Sequence, residues 1–187
     1  MKRLYPFVLL ALCVILTGCG KNRALEGAES FSEKLNSTEN ISFTASLRTE
    51  YDDKTVSFLL AFASDADGCT VTVIEPALIR GISAHIKDGE TKLVYDTVAL
   101  DTGELDGFGL SPMSSLPLLV DAMKNGFIES AWEENGEYCA EFIASDELSA
   151  QIRLDKYTLT PTHAELISEG RVKVFIDIKD FQCEKIT

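Results

Sequence analysis

The amino-acid sequence predicts an α+β fold in which a large curved antiparallel sheet carries two helices over its concave face. From residue 41 onward, apolar residues mostly alternate with polar ones, which is the period of a half-buried strand. Strand patterns recur roughly every eight to twelve residues with turn residues between them, as in antiparallel barrels and meanders. Two segments instead have helical spacing. A sheet with one apolar face buries that face most simply beneath such helices.

The N-terminal residues have the pattern of an export signal that ends at a lipid attachment site. Lys2 and Arg3 precede an uncharged apolar run from Leu4 to Leu16, which is typical of a signal peptide. This run of 13 residues is too short to span a bilayer, because a transmembrane helix needs about 20 residues. The sequence Leu16-Thr17-Gly18-Cys19 is similar to the lipobox of bacterial lipoproteins, in which the cysteine is acylated and becomes the first residue after cleavage.

Processing at Cys19 would divide the chain into three parts. We predict a lipoprotein signal peptide at residues 1–18, a polar tether at 19–23 and one domain at 24–187. Acyl chains such as palmitate on Cys19 would anchor the domain to the extracytoplasmic side of the membrane, since two or more chains hold a protein stably. The alternative is an ordinary signal peptide with Cys19 unmodified, but no Ala-x-Ala-like site precedes this cysteine.

The charge balance argues against nucleic acid as a partner. The chain has a formal net charge of −13, which becomes −15 once the two positive charges of Lys2 and Arg3 leave with the signal peptide. Nucleic-acid binding needs a basic surface, and anionic lipid headgroups repel so acidic a domain. We therefore expect the acylated Cys19, and not surface charge, to hold the domain at the membrane.

Three cysteines, Cys69, Cys139 and Cys183, remain in the domain. One disulfide with one free thiol is possible in an exported protein, and so are three reduced thiols in an anaerobic habitat. No Cys-x-x-Cys spacing is present, so neither a redox motif nor a zinc site is expected.

The two helical segments are amphipathic. The first is predicted over residues 24–37, and the second over about 116–125, with Ser114 or Ser115 as its cap and Pro117 in its first turn. The apolar stripe of the first, Leu25, Ala28, Phe31 and Leu35, falls within about 120° of the helix circumference. The stripe of the second, Leu116, Leu119, Val120 and Met123, falls at i, i+3, i+4 and i+7.

The remaining segments alternate with period two and are predicted as strands. Turn signals separate these strands, at Asp52-Asp53, Asp65 to Gly68, Asp88-Gly89, Asn135-Gly136, Asp146-Glu147 and Glu169-Gly170. The stretch from Thr97 to Ser111 contains three glycines and is predicted to be a long loop.

An exported, acylated chain with an N-terminal helix, a long meander and a mid-chain proline-containing helix resembles the LolA/LolB lipoprotein-carrier superfamily. Further local likeness is to lipoproteins of spore-forming bacteria with this fold, some of which act in sporulation or germination. It lies in Glu75-Pro76, Ile79-Arg80-Gly81-Ile82, Lys87-Asp88-Gly89, Tyr95-Asp96 and Ser111-Pro112. The resemblance implies an unclosed half-barrel whose two helices enclose a hydrophobic cavity. The soluble carrier of the family is not acylated, so Cys19 would make this chain a tethered member.

The apolar residues expected between sheet and helices form the candidate ligand site. They are Phe31, Leu35, Phe43, Leu47, Phe58, Phe62, Val71, Ile82, Leu119, Met123, Phe142, Ile152, Val174 and Ile176. In one hypothesis they line a cavity for a lipid or the acyl chain of a lipoprotein, where each buried methylene contributes about 0.8 kcal/mol. In the other they fill a solid core, and the outer surface docks an envelope protein such as a cell-wall, sporulation or germination partner.

Catalysis is not expected. His85 and His163 are the histidines of the chain, and both fall on the polar phase of their strands, where we expect solvated surface residues. No nucleophile elbow, phosphate loop or zinc-protease helix is present in the sequence. We therefore expect a non-enzymatic protein without a cofactor or metal.

Overall fold

The computed structural model describes residues 22–38, 40–51, 54–96, 98–103 and 111–184. The predicted α+β class is confirmed, with one antiparallel sheet that is not closed into a barrel and two α-helices among the described residues. In chain order the elements are α1 (Arg23–Asn36), β1 (Asn40–Tyr51), β2 (Lys54–Asp65), β3 (Gly68–Glu75), a 3-10 turn (Ala77–Ile79), β4 (Ser83–Lys87), β5 (Glu90–Tyr95), β6 (Val98–Gly103), α2 (Pro112–Asn125), β7 (Phe127–Glu134), β8 (Glu137–Ile143), β9 (Leu148–Asp155), β10 (Pro161–Ser168) and β11 (Arg171–Glu184).

The eleven strands form one sheet in the order β6-β5-β4-β3-β2-β1-β11-β10-β9-β8-β7. Strands that follow one another in the chain are paired, except β6 and β7, and β1 also pairs with β11 in the middle of the sheet. Strands β6 and β7 are the two edges, and α2 connects them in the sequence. The signal peptide, Cys19 and the Asp52-Asp53 turn lie outside the described residues.

Helix α1 begins and ends close to its predicted limits. The Asn22 side chain caps it by accepting hydrogen bonds from the backbone N–H groups of Ala24 and Leu25. Its buried stripe includes Phe31 and Leu35, which pack into the core beneath the helix. No helix in the described ranges is long and apolar enough to cross a bilayer.

Helix α2 begins four residues earlier than predicted. Its cap is Ser111 and not the predicted Ser114 or Ser115, which lie inside the helix. The Ser111 hydroxyl accepts a hydrogen bond from the Ser114 N–H at 3.1 Å, while Ser114 Oγ accepts one from the Ser111 N–H at 3.0 Å. This reciprocal pair satisfies two donors at the start of the helix. Pro112 therefore takes the first helical position, and Pro117 lies inside the helix.

Strand β6 occupies part of the stretch that was predicted to be a loop. It pairs with β5 through Tyr95↔Val98 and Leu93↔Leu100. Val98 and Leu100 are two residues apart and therefore lie on the same face of the strand. The glycines at and beyond Gly103 concealed this short pattern in the sequence. Residues 104–110 lie outside the described part of the chain.

The core lies between the helices and the sheet face that they cover. Phe43 of β1 stacks on Phe62 of β2 and on Phe181 of β11, with ring centroids 4.9 and 5.7 Å apart. Phe31 of α1 approaches Phe181 at 6.1 Å. Aromatic pairs at these distances add to the stabilisation from burial, so helix α1 is held to the middle of the sheet by this cluster.

We expect Phe31→Ala to lower the free energy of unfolding by about 3–5 kcal/mol, because it removes a buried aromatic ring and leaves a cavity. Phe31 is 1% exposed, whereas Phe127 on the edge strand is 73% exposed. The same substitution at Phe127 should change the free energy by no more than about 0.5 kcal/mol. Urea denaturation of both variants measures the difference, and equal costs would contradict this packing.

Candidate functional site

The structure brings the predicted cavity residues together. Twelve of the fourteen are buried and belong to one core cluster, whereas Phe58 and Ile82 are partly buried at its border. The buried ones are Phe31, Leu35, Phe43, Leu47, Phe62, Val71, Leu119, Met123, Phe142, Ile152, Val174 and Ile176. Their side chains pack against one another across the space between the sheet and the two helices.

An open groove of about 460 Å³ lies beside this core, between α2 and one end of strands β2, β3 and β4. Of the predicted cavity residues, Phe62 lines it, and Val120 of α2 and Ile86 of β4 add apolar surface. The remaining lining residues are Asn36, Thr38, Ser64, Asp65, Ala66, Asp67, Gly68, Cys69, Lys87, Asp88, Pro117, Asp121 and Lys124. We call this region the mouth groove, and its volume is within the range of small-ligand sites, about 300–1,000 Å³.

Hairpin turns build one wall of the mouth groove. Gly68 begins β3 with φ +140°, and a Cβ atom there would lie 2.3 Å from the carbonyl oxygen of Ile86. The β2–β3 hairpin therefore lies directly against β4, an approach that a side chain at Gly68 would prevent. Asp65 Oδ1 accepts a hydrogen bond from the Asp67 N–H at 2.8 Å, which holds the turn in shape.

The mouth groove is acidic. Asp65, Asp67, Asp88 and Asp121 contribute four carboxylates against the two amines of Lys87 and Lys124.

Both amines already have partners. Lys87 Nζ is 3.1 Å from Asp67 Oδ1, and this hydrogen bond and charge raise the pKa of Lys87, with smaller contributions from Asp88 and Asp65. Lys124 Nζ donates to the carbonyl oxygen of Thr38 at 3.3 Å. A positively charged group would therefore be attracted into the groove.

The three cysteines of the domain are free thiols in the structure. Cys69 and Cys183 lie in one row across the sheet, through Ser64 and Ile41. Three strand spacings of about 4.8 Å separate them, which is too far for a disulfide. Cys139 is buried opposite Arg153 on the other sheet face.

The histidines lie on the outward face of the sheet, as predicted. His85 Nδ1 is 2.9 Å from Thr70 Oγ1. His163 is half-buried, with Nδ1 at 2.8 Å from Asp177 Oδ1 and Nε2 at 3.5 Å from Glu165 Oε1. In the described part of the chain, no group of three or more histidine, cysteine or acidic side chains could hold a metal ion.

No protein-family model matches the chain, and no curated protein matches its sequence. Among solved structures, it is similar to an uncharacterised conserved protein from Thermus thermophilus, with a TM-score of 0.50 and 11% identity over 86% of this chain and 89% of that one. It is also similar to a LolA superfamily protein from Nitrosomonas europaea, with a TM-score of 0.48 and 13% identity over 86% and 94% of the two chains.

A third similar structure is that of the CwlD amidase from Clostridioides difficile in complex with the GerS lipoprotein, with a TM-score of 0.42 and 18% identity over 82% and 92%. A LolA superfamily protein is thus among the solved structures to which the chain is similar, as the sequence led us to expect. At these identities the likeness is one of fold.

The partial burial of Cys69 predicts a slow thiol. Burial raises its pKa above the ordinary value of 9.0, and the thiolate is the reactive form. We expect iodoacetamide at pH 8 to alkylate Cys69 about tenfold more slowly in the folded chain than in urea, as measured by peptide mass spectrometry. The folded state holds the Cys69 proton more tightly than the unfolded state does. The contribution of this thiol to the free energy of unfolding is therefore complete below pH 9.0 and is lost as the pH rises above that value. Equal rates in the two states would contradict this environment.

Proposed function

We propose that this chain is an exported, lipid-anchored and non-enzymatic binding protein of the cell envelope, and that its mouth groove holds a basic segment of a protein partner. The observation that carries this proposal is the groove itself, whose lining combines four aspartates with the apolar residues Phe62, Val120 and Ile86. A rim of carboxylates favours Lys or Arg on the partner. The apolar surface between them favours one aliphatic or aromatic anchor residue.

The packing of the interior supports a solid core. A ligand placed among the predicted cavity residues would have to separate side chains such as Phe142, Leu119 and Ile152, each of which is 0% exposed. Protein interiors are packed as densely as organic crystals, so such a separation costs contacts on both sides. The mouth groove, in contrast, is accessible without any rearrangement of the core.

Binding of a lipid or of a lipoprotein acyl chain is the second candidate function. One observation favours it: Phe62 lines the mouth groove and also stacks on Phe43 inside the core. Phe62 is therefore a point at which the groove borders the apolar interior. An acyl chain that entered there would gain about 0.8 kcal/mol for each methylene buried.

Site-specific photo-cross-linking in the producing cell tests the partner. A photoreactive residue replaces Asp121 on the rim, and the matched control replaces Glu147 in the β8–β9 turn, another exposed acidic position. We expect a discrete protein adduct from position 121 and none from 147. The double variant Asp67→Lys with Asp88→Lys should reduce the yield about tenfold through like-charge repulsion.

The control for net charge is Asp146→Lys with Glu147→Lys, which changes the total charge equally but lies in the β8–β9 turn. Its adduct yield should equal that of the parent chain. If both reversals lower the yield equally, the groove is not the binding site. The Cys19→Ala protein has no acylated cysteine, so any fatty acid in its organic extract is a bound ligand. If the probe at position 121 gives no protein adduct and this extract contains fatty acid, lipid binding is the function.

The anchor is tested separately. We expect Cys19→Ala to abolish incorporation of a clickable fatty acid and to move the protein from the membrane fraction to the soluble fraction, because Cys19 is then no longer acylated. The neighbouring Cys13→Ala substitution lies within the signal and should leave labelling intact. Label that persists in Cys19→Ala would disprove lipidation at this residue.

A further inference from the structure

A short covalent connection fixes which part of the domain lies beside the bilayer. Cys19 precedes Asn22 by three residues, and three fully extended residues span about 10 Å. Asn22 is held to the sheet, because its Nδ2 donates a hydrogen bond to the carbonyl oxygen of Ala131 in β7 at 2.9 Å. If Cys19 is acylated, as proposed above, edge strand β7 therefore lies close to the lipid headgroups.

The β9–β10 turn, residues 155–160, lies beside this point. Glu133, two residues beyond Ala131 in β7, accepts a hydrogen bond from Lys156 Nζ at 3.0 Å. On the helix side, a Cβ atom on Gly27 of α1 would lie 2.7 Å from the Tyr138 ring and 3.4 Å from Leu159 Cδ2. The start of α1, the end of β7 and this turn therefore form one continuous surface.

The turn is ordered by its first residue. Asp155 Oδ1 accepts hydrogen bonds from the Tyr157 N–H at 3.0 Å, from the Thr158 N–H at 2.8 Å and from Thr158 Oγ1 at 3.0 Å. These bonds to the ionised form lower the pKa of Asp155, so the carboxylate holds the turn at neutral pH. An ordered turn loses little conformational entropy when it binds a surface.

An aromatic side chain projects from this turn. Tyr157 is 84% exposed, and Lys156 Nζ lies 5.6 Å from the centroid of its ring. Tyrosine is enriched at membrane interfaces because its ring is apolar and its hydroxyl is polar. Lys156 is paired with Glu133, so its positive charge is already balanced and the ring is what this surface offers to a bilayer.

We propose that the β9–β10 turn contacts the membrane interface, with Tyr157 among the lipid headgroups, and that this contact with the Cys19 anchor sets the orientation of the domain. Two attachment points restrict rotation about a tether, whereas one point leaves it free. The mouth groove lies between α2 and strands β2, β3 and β4, and five strands separate β2 from β7 in the sheet. This orientation leaves the groove free for its partner.

Fluorescence quenching by brominated lipid tests the orientation. Trp132 is the single tryptophan of the chain, so Trp132→Phe provides a silent background for two matched probes. Tyr157→Trp places the probe in the turn, and Val98→Trp places it on opposite edge strand β6, where Val98 is 69% exposed. The acylated full chain of each variant is reconstituted in phosphatidylcholine vesicles with and without dibrominated acyl chains. Circular dichroism confirms that both variants are folded.

We expect the brominated vesicles to reduce the emission of the Tyr157→Trp probe about twofold and to leave that of Val98→Trp unchanged, since quenching requires contact with the bilayer interface. Equal quenching of the two probes, or quenching of neither in protein that floats with the vesicles, would overturn the proposed orientation and leave the anchor intact. If the full chain with Cys19 intact does not float with the vesicles, the lipid anchor is disproved, and the proposed orientation is disproved with it.

Discussion

The pairing of β1 with β11 is the constraint on which the rest of the fold depends. It joins the first and last strands in the middle of the sheet and so unites the β1–β6 half with the β7–β11 half. A side-chain hydrogen bond from Thr49 Oγ1 to the Lys173 carbonyl oxygen, at 2.9 Å, crosses the same seam. Because contacts between distant parts of the chain close long loops, they form at a high entropic cost. Burial of the Phe43, Phe62 and Phe181 rings at this seam offsets that cost.

The local elements could be predicted from the sequence because their signals are local. Asp88-Gly89 and Asn135-Gly136 adopt positive φ angles at both residues, as the dipeptides indicated. The β1–β11 pairing could not be predicted, since alternation gives the face of a strand but not its neighbour. Strand β6 was missed because two apolar residues among glycines are too few to reveal a period of two.

The candidate site was predictable only in part, for a similar reason. The alternation predicts Phe62 as a cavity residue, but it gives Asp65, Asp67 and Asp88 only as turn residues, because each lies in a hairpin turn. Nothing in the spacing places Asp121 of α2 opposite those turns, since that proximity depends on the packing of the helix over the sheet. The one signal that the sequence offers for the acidic groove is the occurrence of aspartates in both the β2–β3 turn and the β4–β5 turn. The burial of the core residues supports the hypothesis of a filled interior. The accessible candidate site is then the mouth groove at the border of the half-barrel.

The cap at Asn22 also bears on whether the domain can be shed. A protease binds an extended stretch of substrate in its cleft, and chain held in regular hydrogen bonds resists cleavage until it opens. Here the helix begins at Arg23 and the capping side chain is itself bonded to β7. Cleavage beside Asn22 would therefore require the first turn of α1 to open locally, so the cap and its bond to β7 would slow the release of an anchored domain.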